Sequence, residues 1–344
     1  MKKLSYFKLP IIAAVFTSML VACSDSNNET TTEEQTSGAD TTETSETEET
    51  PETVEITDAH GTVTVPVNPE RTIALDSRAF ETLADWDIEL AAAPKDVMPA
   101  DSPYVSDDSV ENIGNHREPN LEILAAADPE LVIVGQRFAN YYEDIKEIVP
   151  NATVIDLNFD VSEESDSPGE NFVNGFTENT LALGQIFDKN EEAEALEAEF
   201  NQAIEDVKSA YNGTDTVMSV IVSGGDINFA APHSGRVWGP MYEIFDFAPA
   251  LEVEGSSSDH QGDDVSVEAI AQSNPDWLLI LDRDAGVSGE DSAPAEDVIE
   301  GSPALQNTTA ISEGHVFYAP ADTYTNESIQ TFIELFENLA SALN

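Results

Sequence analysis

The sequence predicts an α/β protein of two similar lobes with mainly parallel sheets, joined by one long helix. Three observations carry the prediction. Short apolar runs suited to buried strands alternate with stretches of helical spacing. A fifteen-residue window beginning at Asn120 is matched by one beginning at Ser266. Between the copies, apolar residues at Phe172, Val173, Phe176, Leu181, Leu183 and Ile186 outline a single helix long enough to serve as a stiff spine.

Taken in order, residues 1–22 carry Lys2, Lys3 and Lys8, and then an apolar run from Leu9 to Ala22 broken only by Thr17 and Ser18. Cys23 follows. A charged start, an apolar stretch too short to span comfortably and a small-residue end describe an export signal. Leu20-Val21-Ala22-Cys23 resembles the lipobox of bacterial lipoproteins. The resemblance implies cleavage before Cys23 and a lipid on its sulfur. Residues 23–53 are expected to form an acidic, Thr/Glu-rich tether. Residues 24–53 hold ten Thr, ten Asp or Glu, no Lys or Arg and no aromatic residue, too little apolar surface to offset ordering. A flexible coil of that length reaches roughly 30 Å.

The first lobe is expected over 54–170. Val54 to Thr57 and Thr62 to Pro66, separated by a Gly-containing turn, form a hairpin. Strand-like runs follow at Thr72 to Leu75, Leu131 to Val134 and Ala152 to Ile155, with helical spacing at Leu121 to Ala127 and Tyr141 to Ile148. The connecting helix is expected over 171–188. The second lobe, 189–344, opens on a charged helix from Glu191 to Tyr211. It continues with strands at Met218 to Val222, Trp277 to Leu281 and His315 to Tyr318, and helices at Val267 to Gln272 and Ile329 to Leu343. Each copy of the repeat reads as an N-cap residue, a short helix with Glu in its first turn, a helix-stopping Pro and a buried strand.

Composition narrows the function. The chain has 344 residues with 13 Lys+Arg against 68 Asp+Glu, a formal net charge of -55. Such a surface cannot neutralise phosphates, which excludes a nucleic-acid partner held by a basic face. The single Cys excludes a disulfide framework and a thiolate zinc site. No Gly-x-Ser-x-Gly elbow, His-Glu-x-x-His, phosphate loop or Cys nucleophile is present. Only an exported hydrolase using paired carboxylates stays open among enzymes, since acids are everywhere. An adhesin would show β-rich modules or repeats along the whole chain. Of the charges, ten acids fall in the tether and three bases in the signal, leaving 58 acids and ten bases in 54–344. We read this as adaptation to high salt or high pH, because self-repulsion is screened when the Debye length falls to about 3 Å at 1 M salt.

Asp58-Ala59-His60-Gly61-Thr62-Val63-Thr64-Val65-Pro66-Val67-Asn68-Pro69-Glu70-Arg71, the paired Glu-helix-Pro-strand windows and the lipobox together resemble the substrate-binding lipoproteins of iron-siderophore ABC importers. The likeness is greatest to the group binding ferric catecholates such as petrobactin. It covers roughly residues 54–344. It implies two α/β lobes around one backbone helix, with the ligand in the cleft between them. It also implies a monomer with no enzymatic activity and no intrinsic cofactor, iron arriving only within the siderophore. The place implied is the outer face of the cytoplasmic membrane, extracellular in a Gram-positive-type cell and periplasmic otherwise, and the partners are the importer's permease subunits. Cobalamin, haem and hydroxamate siderophores are alternative ligands.

Candidate ligand contacts follow from position. Clefts of α/β lobes lie at the carboxyl ends of strands. Arg137, Arg236 and Arg283 fall at such ends or in the loops just beyond, and they match the family's converging arginines. Guanidinium groups stay charged and donate to phenolate oxygens, as an anionic ferric catecholate requires. Trp238, beside Arg236, is a candidate for stacking on a catechol ring. The resemblance also implies His260 and Tyr324 as iron ligands where the siderophore leaves sites open. The His260 to Glu268 spacing is one residue longer than the family pattern, and the loop after Tyr324 is shorter. Imidazole and phenolate both suit ferric ion. His60, His116, His233 and His315 read as structural. Glu122 and Glu268, one in each copy of the repeat, are implied to dock on the permease subunits; a Glu in a first helical turn also opposes the helix dipole with no partner at all.

Overall fold

The structure is a computed structural model that describes residues 52–162, 164–287 and 293–344. The expected export signal, Cys23 and all but the last two residues of the expected tether lie outside the described residues.

Strands β1 (Thr53–Asp58) and β2 (Gly61–Pro66) pair antiparallel as a separate hairpin. Gly61 at φ +127° makes the turn possible, since a side chain is strained there. Ile56 and Val65 are its buried residues. The first lobe's sheet contains β3 (Thr72–Ala74), β4 (Leu90–Ala93), β5 (Glu111–Asn112), β6 (Leu131–Val134) and β7 (Thr153–Asp156). Its order is β5-β4-β3-β6-β7 and every pairing is parallel. Helices α1 (Phe80–Asp85), α2 (Pro103–Ser106), α3 (Leu121–Ala126) and α4 (Tyr142–Ile148) connect the strands. Leu131 to Val134 are buried without exception, as a central parallel strand with both faces covered requires.

Helix α5 (Pro168–Ile186) lies where the spine was expected, and α6 (Asn190–Ala210) follows it. At 1.5 Å per residue α5 is about 28 Å long. Its two ends belong to different cores. Phe172 and Phe176 pack with the second lobe's aromatic cluster, whereas Ala182, Leu183 and Ile186 pack with the core of the first. One helix thus contributes side chains to the cores of both lobes.

The second sheet is built from β8 (Thr216–Ser223), β9 (Asp226–Phe229), β10 (Ala248–Pro249), β11 (Trp277–Asp282) and β12 (Val316–Tyr318). The order β10-β8-β11-β12 is parallel, and β9 folds back antiparallel on β8. Helices α7 (Gly239–Ile244), α8 (Val267–Ser273), α9 (Arg283–Val287), α10 (Ala295–Glu300), α11 (Thr309–Glu313) and α12 (Ile329–Leu343) complete it.

The repeated windows fold alike. Asn120 caps α3 by accepting from the Glu122 and Ile123 amides, and Ser266 caps α8 by accepting from Ala269. Asp128 and Asn274, each just before the helix-stopping Pro, take φ of 47° and 50°, the left-handed turn that leads into β6 and β11.

Candidate functional site

The C-terminal strand ends and the loops after them meet along a cleft between the lobes. A cavity of about 450 Å³ there is lined by Arg117, Arg137, Arg236, Arg283, His116, His260 and Tyr324, among others. A second cavity of about 270 Å³ lies on the other side of Arg236, lined by Arg78, Glu327, Phe159, Phe172 and Phe332 among others. The structure thus brings Arg137, Arg236, Arg283, His260 and Tyr324 together.

Each arginine is placed by its local chain. Arg137 follows β6 through Gly135 and Gln136. A Cβ on Gly135 would run into the Asp76 side chain, so only glycine lets these strand ends approach. Gln136, at φ 30°, turns the chain into the cleft. Arg283 directly follows β11, with Nε donating to the Tyr324 hydroxyl at 3.2 Å and Nη1 to Ser223 at 3.3 Å. Arg236 arrives differently from the strand-end expectation, because the strand before it, β9, is antiparallel. The loop after β9 is coiled tightly, with the Gly235 amide donating to Ala231 at 2.8 Å. Val237 is held at φ 65°. That conformation is costly for a β-branched residue, and such strain is characteristic of functional loops.

Tyr324 is 5% exposed and serves both cations as a platform, with the Arg236 and Arg283 guanidinium carbons 4.9 Å and 5.4 Å from its ring centre. Arg78 lies 3.6 Å over the Phe159 ring. Several buried donors have no acceptor within hydrogen-bond geometry: Arg78 Nη1, Arg137 Nε and Arg236 Nε. Such donors offer an anion several contacts in a partly desolvated space.

Glu327 faces these cations. Its carboxylate lies 2.9 Å from Arg236 and 3.9 Å from Arg137. Burial pushes its carboxyl upward, but Arg236, Arg137 and Arg78 together outweigh this and hold it below the usual carboxylate range. Asp76 beside Arg78 behaves oppositely. Burial dominates there, and its carboxyl is pushed up to about 6. Burial also lowers the Arg78 and Arg137 guanidiniums.

His260 lies at the cavity edge with a 43% exposed side chain. Burial lowers its pKa and the Arg283, Arg236 and Arg117 charges add to this, against an opposing pull from Asp259. His116 is lowered in the same way, by burial and then by Arg137, Arg117 and His260. Both shifts favour the neutral imidazole, the form that keeps a lone pair for a metal or a donor. Among the described residues no group of three or more His, Cys, Asp or Glu could hold a metal ion.

Trp238 is corrected by the structure. Its side chain is fully buried in the second lobe's core, 6.3 Å centre to centre from Phe317, and it does not line either cavity. It supports the Arg236 loop from behind. His116, expected to be structural, lies in the cleft lining, as do Arg78, Arg117 and Glu327, which sequence reasoning missed. Arg78 lies four residues beyond β3 and could have been found by the rule that found Arg137. His60 is structural, stacked 3.9 Å from Tyr142 and bonded at 3.1 Å to Asp156. Glu122 and Glu268 are exposed in the first turns of α3 and α8.

Two α/β lobes on one spine, with a cationic cleft between them, define a binding protein. The chain belongs to the periplasmic binding protein family, whose sequence model it matches over residues 73–323. Petrobactin-binding protein YclQ of Bacillus subtilis (strain 168) is 29% identical over 270 residues, covering 78% of this chain and 79% of YclQ. Ferric-anguibactin-binding protein FatB of Vibrio anguillarum is 27% identical over 265 residues, 77% of this chain and 79% of FatB. The crystal structure of YclQ shares the fold with a TM-score of 0.71 at 24% identity, over 86% of this chain and 99% of that one. The siderophore-binding protein BauB, solved with two acinetobactin molecules and ferric iron, gives 0.73 at 24% identity, over 85% and 99%.

Proposed function

We propose that this protein captures an anionic ferric siderophore, of catecholate or mixed citrate-catecholate type like petrobactin, and delivers it to an ABC importer. One observation carries the reading. Of the ten Lys and Arg residues in 54–344, five line the two cleft cavities: Arg78, Arg117, Arg137, Arg236 and Arg283. A chain this acidic that gathers half its cations in one cleft is built for an anion. Phenolate and carboxylate oxygens around ferric ion match the unpaired guanidinium donors. The names of YclQ and FatB, each a ferric-siderophore or petrobactin binder, point to the same ligand class. His260 and Tyr324 would complete the iron shell where the siderophore is tetradentate. Cys23 would carry the lipid that keeps the protein at the outer face of the membrane, and Glu122 and Glu268 would dock one on each permease subunit.

Uptake of radiolabelled ferric siderophore, compared with binding by the purified protein, tests this. Reversing both charges (Glu122→Lys with Glu268→Lys) should abolish uptake and leave the dissociation constant within about twofold. Intact uptake would overturn the docking role, and loss of binding would show that the two helices serve the cleft instead.

A further inference from the structure

Glu327 is a buried carboxylate in a cleft read as an anion site, where it competes with the ligand for the same cations. Its position is built rather than incidental. The flanking residues tie the segment before α12 to α1 of the first lobe: Asn326 Nδ2 donates to Glu81 Oε2 at 2.9 Å, and Ser328 and Thr331 donate to the same oxygen. One residue along, Thr82 donates to Gln330 at 2.9 Å. With its neighbours clamped on α1, Glu327 faces Arg137 of the first lobe and Arg236 of the second. Gln136, just after β6, also hydrogen-bonds the Glu327 carboxylate.

We infer that Glu327 sets the ligand charge the cleft prefers, acting as a built-in anion that cancels part of the guanidinium charge and holds Arg137 and Arg236 in reach of the ligand. The inference rests on the siderophore reading and deepens it. Five guanidiniums line the two cavities, and the buried carboxylates near them include Glu327, which lines the first cavity, Asp76 beside Arg78 and Asp284 at 4.0 Å from Arg283. When ionised, these buried acids subtract from the cationic field. An electrostatic cleft discriminates ligands by charge as much as by shape, and cancelling a charge inside it lowers the gain from each further ligand charge. Glu327 is a positioning and selectivity residue. Removing its charge makes a highly charged ligand gain more than a neutral one.

The test compares dissociation constants for two ferric probes, the trianionic tris-catecholate complex of enterobactin and the neutral tris-hydroxamate ferrichrome, in wild type, Glu327→Gln and Glu327→Asp. The ratio of affinities, catecholate over hydroxamate, is expected to rise at least tenfold in Glu327→Gln and to stay within threefold of wild type in Glu327→Asp. A ratio that stays level while both affinities fall would assign Glu327 a structural role and overturn the inference. Citrate, an iron-free trianion, gives a readout independent of siderophore binding. The rise in melting temperature that it induces should be larger in Glu327→Gln than in wild type, and an equal or smaller rise counts against the inference. If wild type bound neither ferric probe nor a ferric citrate-catecholate, the siderophore reading would fail, while the citrate comparison would still decide the role of Glu327.

Discussion

Asp76 carries the clearest pH signature in the molecule. It is 1% exposed, its Oδ2 finds no donor, and burial pushes its carboxyl from the ordinary value of 3.8 up to about 6. An acid whose pKa is higher folded than unfolded makes the native state bind its proton more tightly, so stability falls as pH rises from about 4 through about 6. The shift corresponds to a penalty on the order of 3 kcal/mol, fully present about a unit above pH 6. Asp76→Asn keeps the acceptor for the Arg78 amide, bonded at 3.1 Å, and removes the penalty. Urea unfolding should therefore find Asp76→Asn more stable than wild type by about that amount at pH 7.5, with the gap narrowing through pH 6 and closing only below about pH 4. Parallel profiles would show that Asp76 does not titrate with folding. At this scale the sequence was informative where chain position decides, as for Arg137 after β6 and Arg283 after β11. It misled where backbone conformation decides: Trp238 adjoins Arg236, but with Val237 held at φ 65° between them the two side chains part, one to the cleft and one to the core. Glu327 could not be found, because nothing in its neighbours marks one acid among 58.

At the scale of elements, α5 connects the lobes to the site. Its Gly175 lies where a Cβ would run into the Phe159 ring, and that ring carries Arg78. Gly175→Ala should gain about 1 kcal/mol of helix propensity and still lower the melting temperature, because Phe159 must move. Arg78 would be displaced with it, so ferric-catecholate affinity should also fall several-fold. A higher melting temperature with unchanged affinity would show that Phe159 has room to yield. The strong elements were legible because their patterns are long: β6, β11 and α12 follow their apolar runs to within a residue. The missed ones are short or weakly marked. β4 is Leu-Ala-Ala-Ala, β5 and β10 have two residues each, and α7 has six. Such elements take their stability from tertiary neighbours rather than from local preference, so they leave little trace in the sequence. Missing β5 also hid His116 and Arg117, which follow it into the cleft.

For the whole molecule, the charge is divided by place. The four Lys of 54–344 are exposed or half-buried, and three of them pair with Glu one helical turn away, as in Lys208 with Glu205 at 3.1 Å. Arg71 pairs on the surface with Asp128. The remaining five cations are the cleft arginines. A body of 58 acids repels an approaching anion at long range, and the cleft attracts it at contact, where burial shields the guanidiniums from solvent. Ligand charge therefore decides binding. Equilibrium titration of the purified protein, followed by tryptophan fluorescence, against ferric tris-catecholate, ferric citrate-catecholate, neutral ferric hydroxamate and cobalamin measures this. The anionic catecholates should bind tightest, by at least a hundredfold over the neutral ligands; a neutral hydroxamate or cobalamin binding as tightly as any catecholate would rule out charge as the deciding factor.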